Sequence, residues 1–262
     1  MLRIIHLSDL HLHASEAHPD NRNAFALAQH VILKHGAADD ETVVVATGDL
    51  TDDAKESQRS QLIAWLLTLK EHVRVLCTRG NHDDAYAGDI FVPESIEPFN
   101  RCAGVSGFPT VWHPQTSNAM LIGLDSADVK NLEWFAEGLI GHEQLVGLAS
   151  LLEIAAEHGR LPIVYLHHHP FCRDVGMPLV DSEDFMRVLG APRDGPRPVV
   201  LFGHRHVSDL WLDYHDIGHF IASGKSTQPD ENGILRYRVL TVEGKSTTAI
   251  DTEEIAAQTR AA

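Results

Sequence analysis

Cysteine is scarce in this chain: Cys77, Cys102 and Cys172 are the only three in 262 residues. Their odd number, wide spacing and lack of a C-x-x-C pair argue against a disulfide framework or a thiolate zinc ribbon, and suit a reducing cytosol. Long apolar runs are also missing. No stretch reaches the roughly 18 apolar residues of a membrane span, and the opening Met1-Leu2-Arg3-Ile4-Ile5-His6 meets Asp9 before a signal-peptide core is complete. The expected location is therefore cytoplasmic. Positive charge is in short supply too: 21 Lys and Arg against 37 Asp and Glu leave a formal charge of −16. That balance argues against a grip on a nucleic-acid polymer or an anionic membrane, since both need a cationic surface. A small, localised anionic ligand is still compatible with it. There is no internal repeat, low-complexity tract or clear linker, so residues 1–262 read as a single domain of ordinary globular composition.

Histidine, by contrast, is abundant, with 18 copies. Its neutral imidazole is the commonest metal ligand, so the question is where these residues fall. Short β-branched runs alternate with amphipathic stretches, the mark of βαβ units. Strands are predicted at 3–7, 42–47, 73–77, 120–124, 161–167 and 199–202. Helices are predicted at 23–35, 57–70 and 143–158, where apolar residues recur at helical spacing. Beyond Phe202, the segments 210–213, 220–222, 235–241 and 247–250 read as consecutive strands of an antiparallel meander. The stretch 84–118 reads as an irregular rim or lid, with a possible part in dimerisation. Residues 251–262 read as a frayed tail or short surface helix.

Five strand ends carry one kind of residue. They are Asp9-Leu10-His11, Gly48-Asp49-Leu50-Thr51-Asp52, Gly80-Asn81-His82-Asp83, His167-His168-His169-Pro170 and Gly203-His204-Arg205-His206. Each alone has an ordinary explanation: a turn, a helix cap, an αL corner, a surface His run. Together they are harder to dismiss, because the carboxyl ends of strands in an α/β sheet are where ligand sites assemble. Asp9 and His11 share one face of an extended segment, as do His204 and His206. Mixed carboxylate, amide and imidazole donors suit Mn, Fe, Zn or Co. There are too many for one ion, and a pair of ions sharing a carboxylate is the natural partition.

These ordered blocks, D-x-H, G-D-x-x-[DN], G-N-H-[DE], a later His and G-H-x-H, make the sequence resemble the calcineurin-like metallophosphoesterases, with every block between residues 4 and 206. The resemblance implies an α/β fold, a four-layer αββα sandwich with two central mixed β-sheets, in which the C-terminal strands supply the second sheet. It places Asp9, His11 and His206 on one of two divalent or trivalent ions and Asn81, His168 and His204 on the other, with Asp49 bridging. Within the His triplet the ligand is the residue two before Pro170, hence His168, with a slip of one residue left open. His167 is read as a strand residue and His169 as a support behind the ligands. His6 and His13 lie near the site in sequence.

Asn81 and His82 are expected to face substrate, with His82 as acid or charge stabiliser and Asp83 orienting it. The two ions outweigh the charges of Asp9 and Asp49, so the centre attracts phosphate. A water bridging them would lose its proton near neutral pH and attack phosphorus in line. Residues 167–189 are similar to the stretch after the His block in bacterial cyclic-nucleotide and glycerophosphodiester phosphodiesterases, which implies a small phosphodiester substrate. Arg79 departs from the Pro of those relatives and is read as a contact to substrate phosphate or as a solvated loop residue. It lends some support to a phosphomonoesterase or phosphatase, against which Asp53-Ala54 counts in place of Arg-Gly. A non-catalytic scaffold on the same fold is the rival of another class. The expected partners are a small phosphoester and, as an open possibility, further copies of the chain. Gly224-Lys225-Ser226 is not a P-loop, because His219 stands where a glycine is required; Lys225 is read as a solvated turn residue.

Overall fold

The computed structural model describes residues 1–36, 40–83, 97–127, 136–174, 177–191, 194–244 and 246–258. The central parallel strands are largely apolar because both their faces are covered. In β1 (Leu2–Leu7), Leu2 and Ile4 face a core between two sheets, whereas Ile5 and Leu7 face a second core under helices. The same division holds for Val43 and Val45 against Val44 and Ala46 in β2 (Glu41–Thr47). On the other side of the molecule it holds for Ile163 and Tyr165 against Val164 in β6 (Leu161–Tyr165), and for Val199 and Leu201 against Val200 and Phe202 in β7 (Val199–Phe202). Two sheets with a shared core and a helical layer outside each form the expected αββα sandwich.

One sheet has the order β11-β10-β1-β2-β3, with β3 at Arg74–Thr78, β10 at Ile234–Glu243 and β11 at Ser246–Ala256. The other runs β4-β5-β6-β7-β9-β8, with β4 at Thr110–Trp112, β5 at Ala119–Gly123, β8 at Asp209–Tyr214 and β9 at Gly218–Ala222. β1, β2 and β3 are parallel, as are β5, β6, β7 and β9, so each set of carboxyl ends points one way. Helices α1 (Pro19–His35) and α2 (Glu56–Lys70) cover the first sheet. α4 (His142–Glu157) and α5 (Ser182–Leu189) cover the second. In α1 the stripe facing the sheet is Ala24, Leu27, Ala28 and Val31; Phe25 and Ile32 lie at its edge. Among the described residues no helix is long and apolar enough to cross a membrane.

Three expectations need correction. The four late strands are not one meander, and they do not together make the second sheet. β8 and β9 form a hairpin that joins β7, while β10 and β11 cross to the first sheet, where β10 pairs with β1 and β11 with β10. Residues 251–256 are neither frayed nor helical but extend β11, held by β10 from Ile234 to Glu243. Part of 84–118 is regular: α3 (Glu97–Ala103) and β4 lie within it, β4 pairing with β5. Residues 84–96 lie outside the described residues.

One buried base makes stability pH-dependent. His6 on β1 is fully buried with Nε2 3.0 Å from Thr47 Oγ1, and burial, aided by Arg238, drives its pKa down to about 3. The unfolded chain takes up a proton below about 6.5 that the folded chain refuses. The contribution of His6 is therefore complete above that pH and falls by about 1.4 kcal/mol for each unit of acidification, down to the folded pKa. Urea unfolding of His6→Gln between pH 7 and pH 4.5 is expected to show a shallower pH slope than wild type.

Candidate metal centre

As each of three strands ends, the chain turns into a conformation that side chains rarely adopt. Asp9, His11, Asp49, His204 and His206 all have positive φ, from 46° to 76°. Non-glycine residues are uncommon there, and such strain gathers at functional sites where surrounding structure enforces it. Here the ends of β1 and β2 are stitched side by side. Asp9 N donates to Gly48 O at 3.0 Å, His11 N to Asp49 O at 2.9 Å and Leu12 N to Leu50 O at 2.9 Å. Gly203 N donates to His167 O at 3.0 Å, joining the two clusters of the second sheet. Glycine is needed for close approach: a Cβ on Gly80 would collide with the Asp49 carboxylate, and one on Gly203 with Ser8 Oγ and Asp9 Oδ2.

The result is two main groups of donor atoms, with His11, Asp52 and His82 forming a further one that shares His11. Asp9, His11, Asp49 and His206 place one ligand atom each within 4.8 Å of the others. His206 Nε2 is 3.4 Å from Asp9 Oδ1, His11 Nε2 is 3.1 Å from His206 Nε2, and His11 Nε2 is 3.8 Å from Asp49 Oδ2. The second group is His167, His168 and His204. His167 Nε2 lies 3.2 Å from His204 Nδ1 and 3.3 Å from Asp49 Oδ2, so Asp49 touches both groups.

Donors about 2.0–2.2 Å from a shared ion stand at such separations from one another. Two further observations fit a metal. His168 Nε2 and Asn81 Oδ1 are buried without a hydrogen-bond partner, a costly state that coordination relieves. The imidazoles are also held from behind: His167 Nδ1 donates to Thr47 O at 2.8 Å and His204 Nε2 to Met177 O at 3.2 Å. His168 Nδ1 meets Ser126 Oγ at 2.9 Å, and His11 Nδ1 faces Asp52 Oδ1 at 3.4 Å. Outer bonds of this kind set the tautomer and leave the opposite nitrogen free to ligate.

The electrostatics agree. Burial pushes the Asp49 carboxyl upward, but the nearby imidazoles of His167, His82 and His11 outweigh it and hold the group well below the usual carboxylate range. Burial likewise pulls His167 down, and Asp49 and Asp9 more than reverse this, to about 9, so a metal ion would take the place of the proton on this imidazole. His168 is driven low by burial and by His204 and His167 beside it, and His204 by burial and by His167, so both are neutral donors.

The sequence-derived residues are distributed as follows. Asp9, His11, Asp49 and His206 come together, as do His168 and His204. His167, read as a strand residue, is corrected: β6 stops at Tyr165, and the alternation that would hide His167 beneath the sheet stops with it. Only the slip left open within the triplet hinted at it. His169 does not back the ligands. It packs against Phe171, Phe202 and Trp211, and its Nδ1 accepts from Phe171 N at 3.0 Å.

His82 sits beside the first group, its ring edge-on to His11 at 4.7 Å between centroids. Its orientation does not come from Asp83. The His82 backbone N–H donates to Asp49 Oδ1 at 2.9 Å, and its Nδ1 donates to Asp52 O at 2.6 Å. Asp83 instead accepts from Leu50 N, Thr51 N, Thr51 Oγ1 and Gly80 N at 2.8–3.1 Å for the closer oxygen of each, tying the second and third blocks together. Arg79 is neither solvated nor open to a ligand: it is 4% exposed, and its Nε donates to Asp125 Oδ2 at 2.7 Å. Asp125, Ser126 and Thr47 support the site without any signal in the sequence beyond a strand end close by, whereas Asp52 closes the G-D-x-x-[DN] block.

A curated Coxiella burnetii protein named "Probable cyclic nucleotide phosphodiesterase" is 26% identical over 225 residues, covering 81% of this chain and 79% of its own. The crystal structure of a dimetal phosphatase from Danio rerio superposes with a TM-score of 0.68 at 15% identity, covering 98% of this chain and 99% of that one. A 5'-nucleotidase precursor from Thermus thermophilus gives 0.53 at 14% identity, covering 98% of this chain and 54% of that one. At such identities the two structures speak for the fold alone. The family model for calcineurin-like phosphoesterases matches residues 2–208, and the chain therefore belongs to that family of phosphoric ester hydrolases.

Proposed function

We propose that this enzyme hydrolyses a small phosphodiester, of cyclic-nucleotide or glycerophosphodiester type, at a dinuclear metal centre. The observation that carries the reading is the meeting of two ligand groups at one carboxylate, Asp49, with His82 alongside. Asp9, His11 and His206 would hold one ion and Asp49 both. Asn81 Oδ1, His204 Nδ1 and the Nε2 atoms of His167 and His168 would serve the other. When bound, such a pair supplies a water of lowered pKa and a positive field for the phosphoryl oxygens.

The remaining work falls to the chain's own groups. Because Nδ1 of His82 is committed to the Asp52 carbonyl, Nε2 is the nitrogen left to deliver a proton to the leaving oxygen. Burial lowers the pKa of His82, but the Asp49 carboxylate and the Asp52 carbonyl raise it overall, which favours the proton-bearing form. Asp83 holds its loop, not its ring, in place.

The diester preference is supported by the name of the Coxiella burnetii relative and by the similarity of residues 167–189 to bacterial phosphodiesterases. Arg79, the feature that favoured a phosphatase, is spent in its buried pair with Asp125. With added Mn, turnover of bis(p-nitrophenyl) phosphate is expected to exceed that of p-nitrophenyl phosphate by at least about tenfold in kcat/KM, a difference of about 1.4 kcal/mol in transition-state binding. The reverse order would make the protein a phosphomonoesterase, and turnover of neither would favour a scaffold.

A further inference from the structure

Beside the dinuclear centre, in the loop that leads from β1 into α1, lies a second cluster that the proposed chemistry does not use. We propose that His13, His18 and Asp20 form a third divalent-cation site, of zinc type, on the rim of the active site. His13 Nε2 is 3.6 Å from Asp20 Oδ2, and His18 Nδ1 is 3.8 Å from the same oxygen. The three ligand atoms lie within 4.8 Å of one another, and the two imidazole rings are 3.5 Å apart between centroids. Two imidazoles and one carboxylate around a position left open to water is a common zinc donor set, and donors sharing a zinc stand about 3.3–3.6 Å apart.

The cluster also has the backing that metal-binding histidines have. His13 turns its other nitrogen, Nδ1, to Asp52 Oδ2 at 3.5 Å. The second oxygen of that carboxylate faces His11 Nδ1 at 3.4 Å, so Asp52 supports one ligand histidine in each of two sites. The side chains of His13, His18 and Asp20 are 28%, 37% and 13% exposed, so an ion reaches them from solvent.

A cation is already held at this point: Lys225 Nζ is 3.0 Å from Asp20 Oδ2, with the lysine side chain only 18% exposed rather than solvated as its turn suggested. A divalent ion takes the place of that ammonium. It also replaces the long bond, 3.3 Å, that His18 Nδ1 accepts from Asp20 N at the start of α1.

The site goes beyond the dinuclear reading and does not depend on it. The test is zinc binding by the full chain after chelator stripping, measured by competition with a chromophoric chelator and by elemental analysis. Wild type is expected to take up three equivalents, and His18→Ala and Asp20→Asn two each. Asp49→Ala retains an equivalent that Asp49→Ala/His18→Ala loses. Lys225→Met tightens the third equivalent by about fivefold, the worth of a partly exposed ion pair, whereas a merely structural lysine would leave it unchanged or weaker. A single equivalent in wild type, lost in His18→Ala, would sustain this site and remove the dinuclear reading. Uptake that is the same in wild type, His18→Ala and Asp20→Asn would overturn the proposal, as would a weaker third equivalent in Lys225→Met.

Discussion

His82→Ala is expected to keep the ions of the proposed centre and to lose about 10²–10⁴-fold in kcat, the usual worth of a positioned general acid. The separation of the two effects follows from which atoms do what. The tie between His82 and Asp49 runs through the backbone N–H, which alanine retains, so the shared carboxylate stays where it is. The imidazole touches the Asp52 carbonyl and the edge of His11; it groups with His11 and Asp52, outside the donor groups of Asp9 and of His167. Its loss therefore removes a proton donor without emptying the site. The size of the loss depends on the leaving group: an alkyl ester, whose alkoxide needs a proton, is affected far more than a p-nitrophenyl ester, whose phenolate leaves without one. Kinetics with the two ester types, alongside elemental analysis, check both halves. Equal losses on both would mean that His82 stabilises charge instead of delivering a proton.

Asp49→Ala has the larger consequence. Its carboxylate faces side-chain donors of both groups, 3.8 Å from His11 Nε2 and 3.3 Å from His167 Nε2. Without it Asp9 is the one carboxylate left within the two donor groups, and His82 N–H loses its acceptor. Activity is expected at background, with fewer than two ions retained in the dinuclear centre. Thermal stability gives an independent reading. A ligand present at 100 times its Kd stabilises the folded state by about 2.7 kcal/mol, so added Mn raises the Tm of the wild type and leaves that of Asp49→Ala nearly unchanged. Full metal occupancy in the variant would contradict the shared role.

Much of the site was legible because the chemistry of strand ends is local. A β-branched run followed by Gly-Asp or Gly-His announces both the end of a strand and the donor that follows it, and the order of five such blocks carried the family. The glycines are legible for the same reason, since only glycine allows the backbone of Gly80 and Gly203 to lie against Asp49 and Asp9. Supporting contacts were not legible. Asp83 reads as a partner for its neighbour His82, yet it binds the amides of Leu50 and Thr51, over 30 positions away. Arg79 reads as a loop cation, yet burial beside Asp125, 46 positions on, makes it structural.

Residue types and their periods pointed to an α/β chain, to the strands β1, β2, β3, β5, β6 and β7, and to the candidate donors at their ends, while the layering came from the family resemblance. Those strands and donors are decided within a few residues by backbone geometry and by whether a side chain can leave water. Sheet membership of the last four strands, the turn of His167 into the site, the partners of Asp83 and Arg79, and the approach of Lys225 to His13, His18 and Asp20 belong to the tertiary structure. Each depends on which distant segment packs alongside. Such contacts are chosen by the burial of whole faces and the satisfaction of buried polar atoms, and no local pattern carries that information.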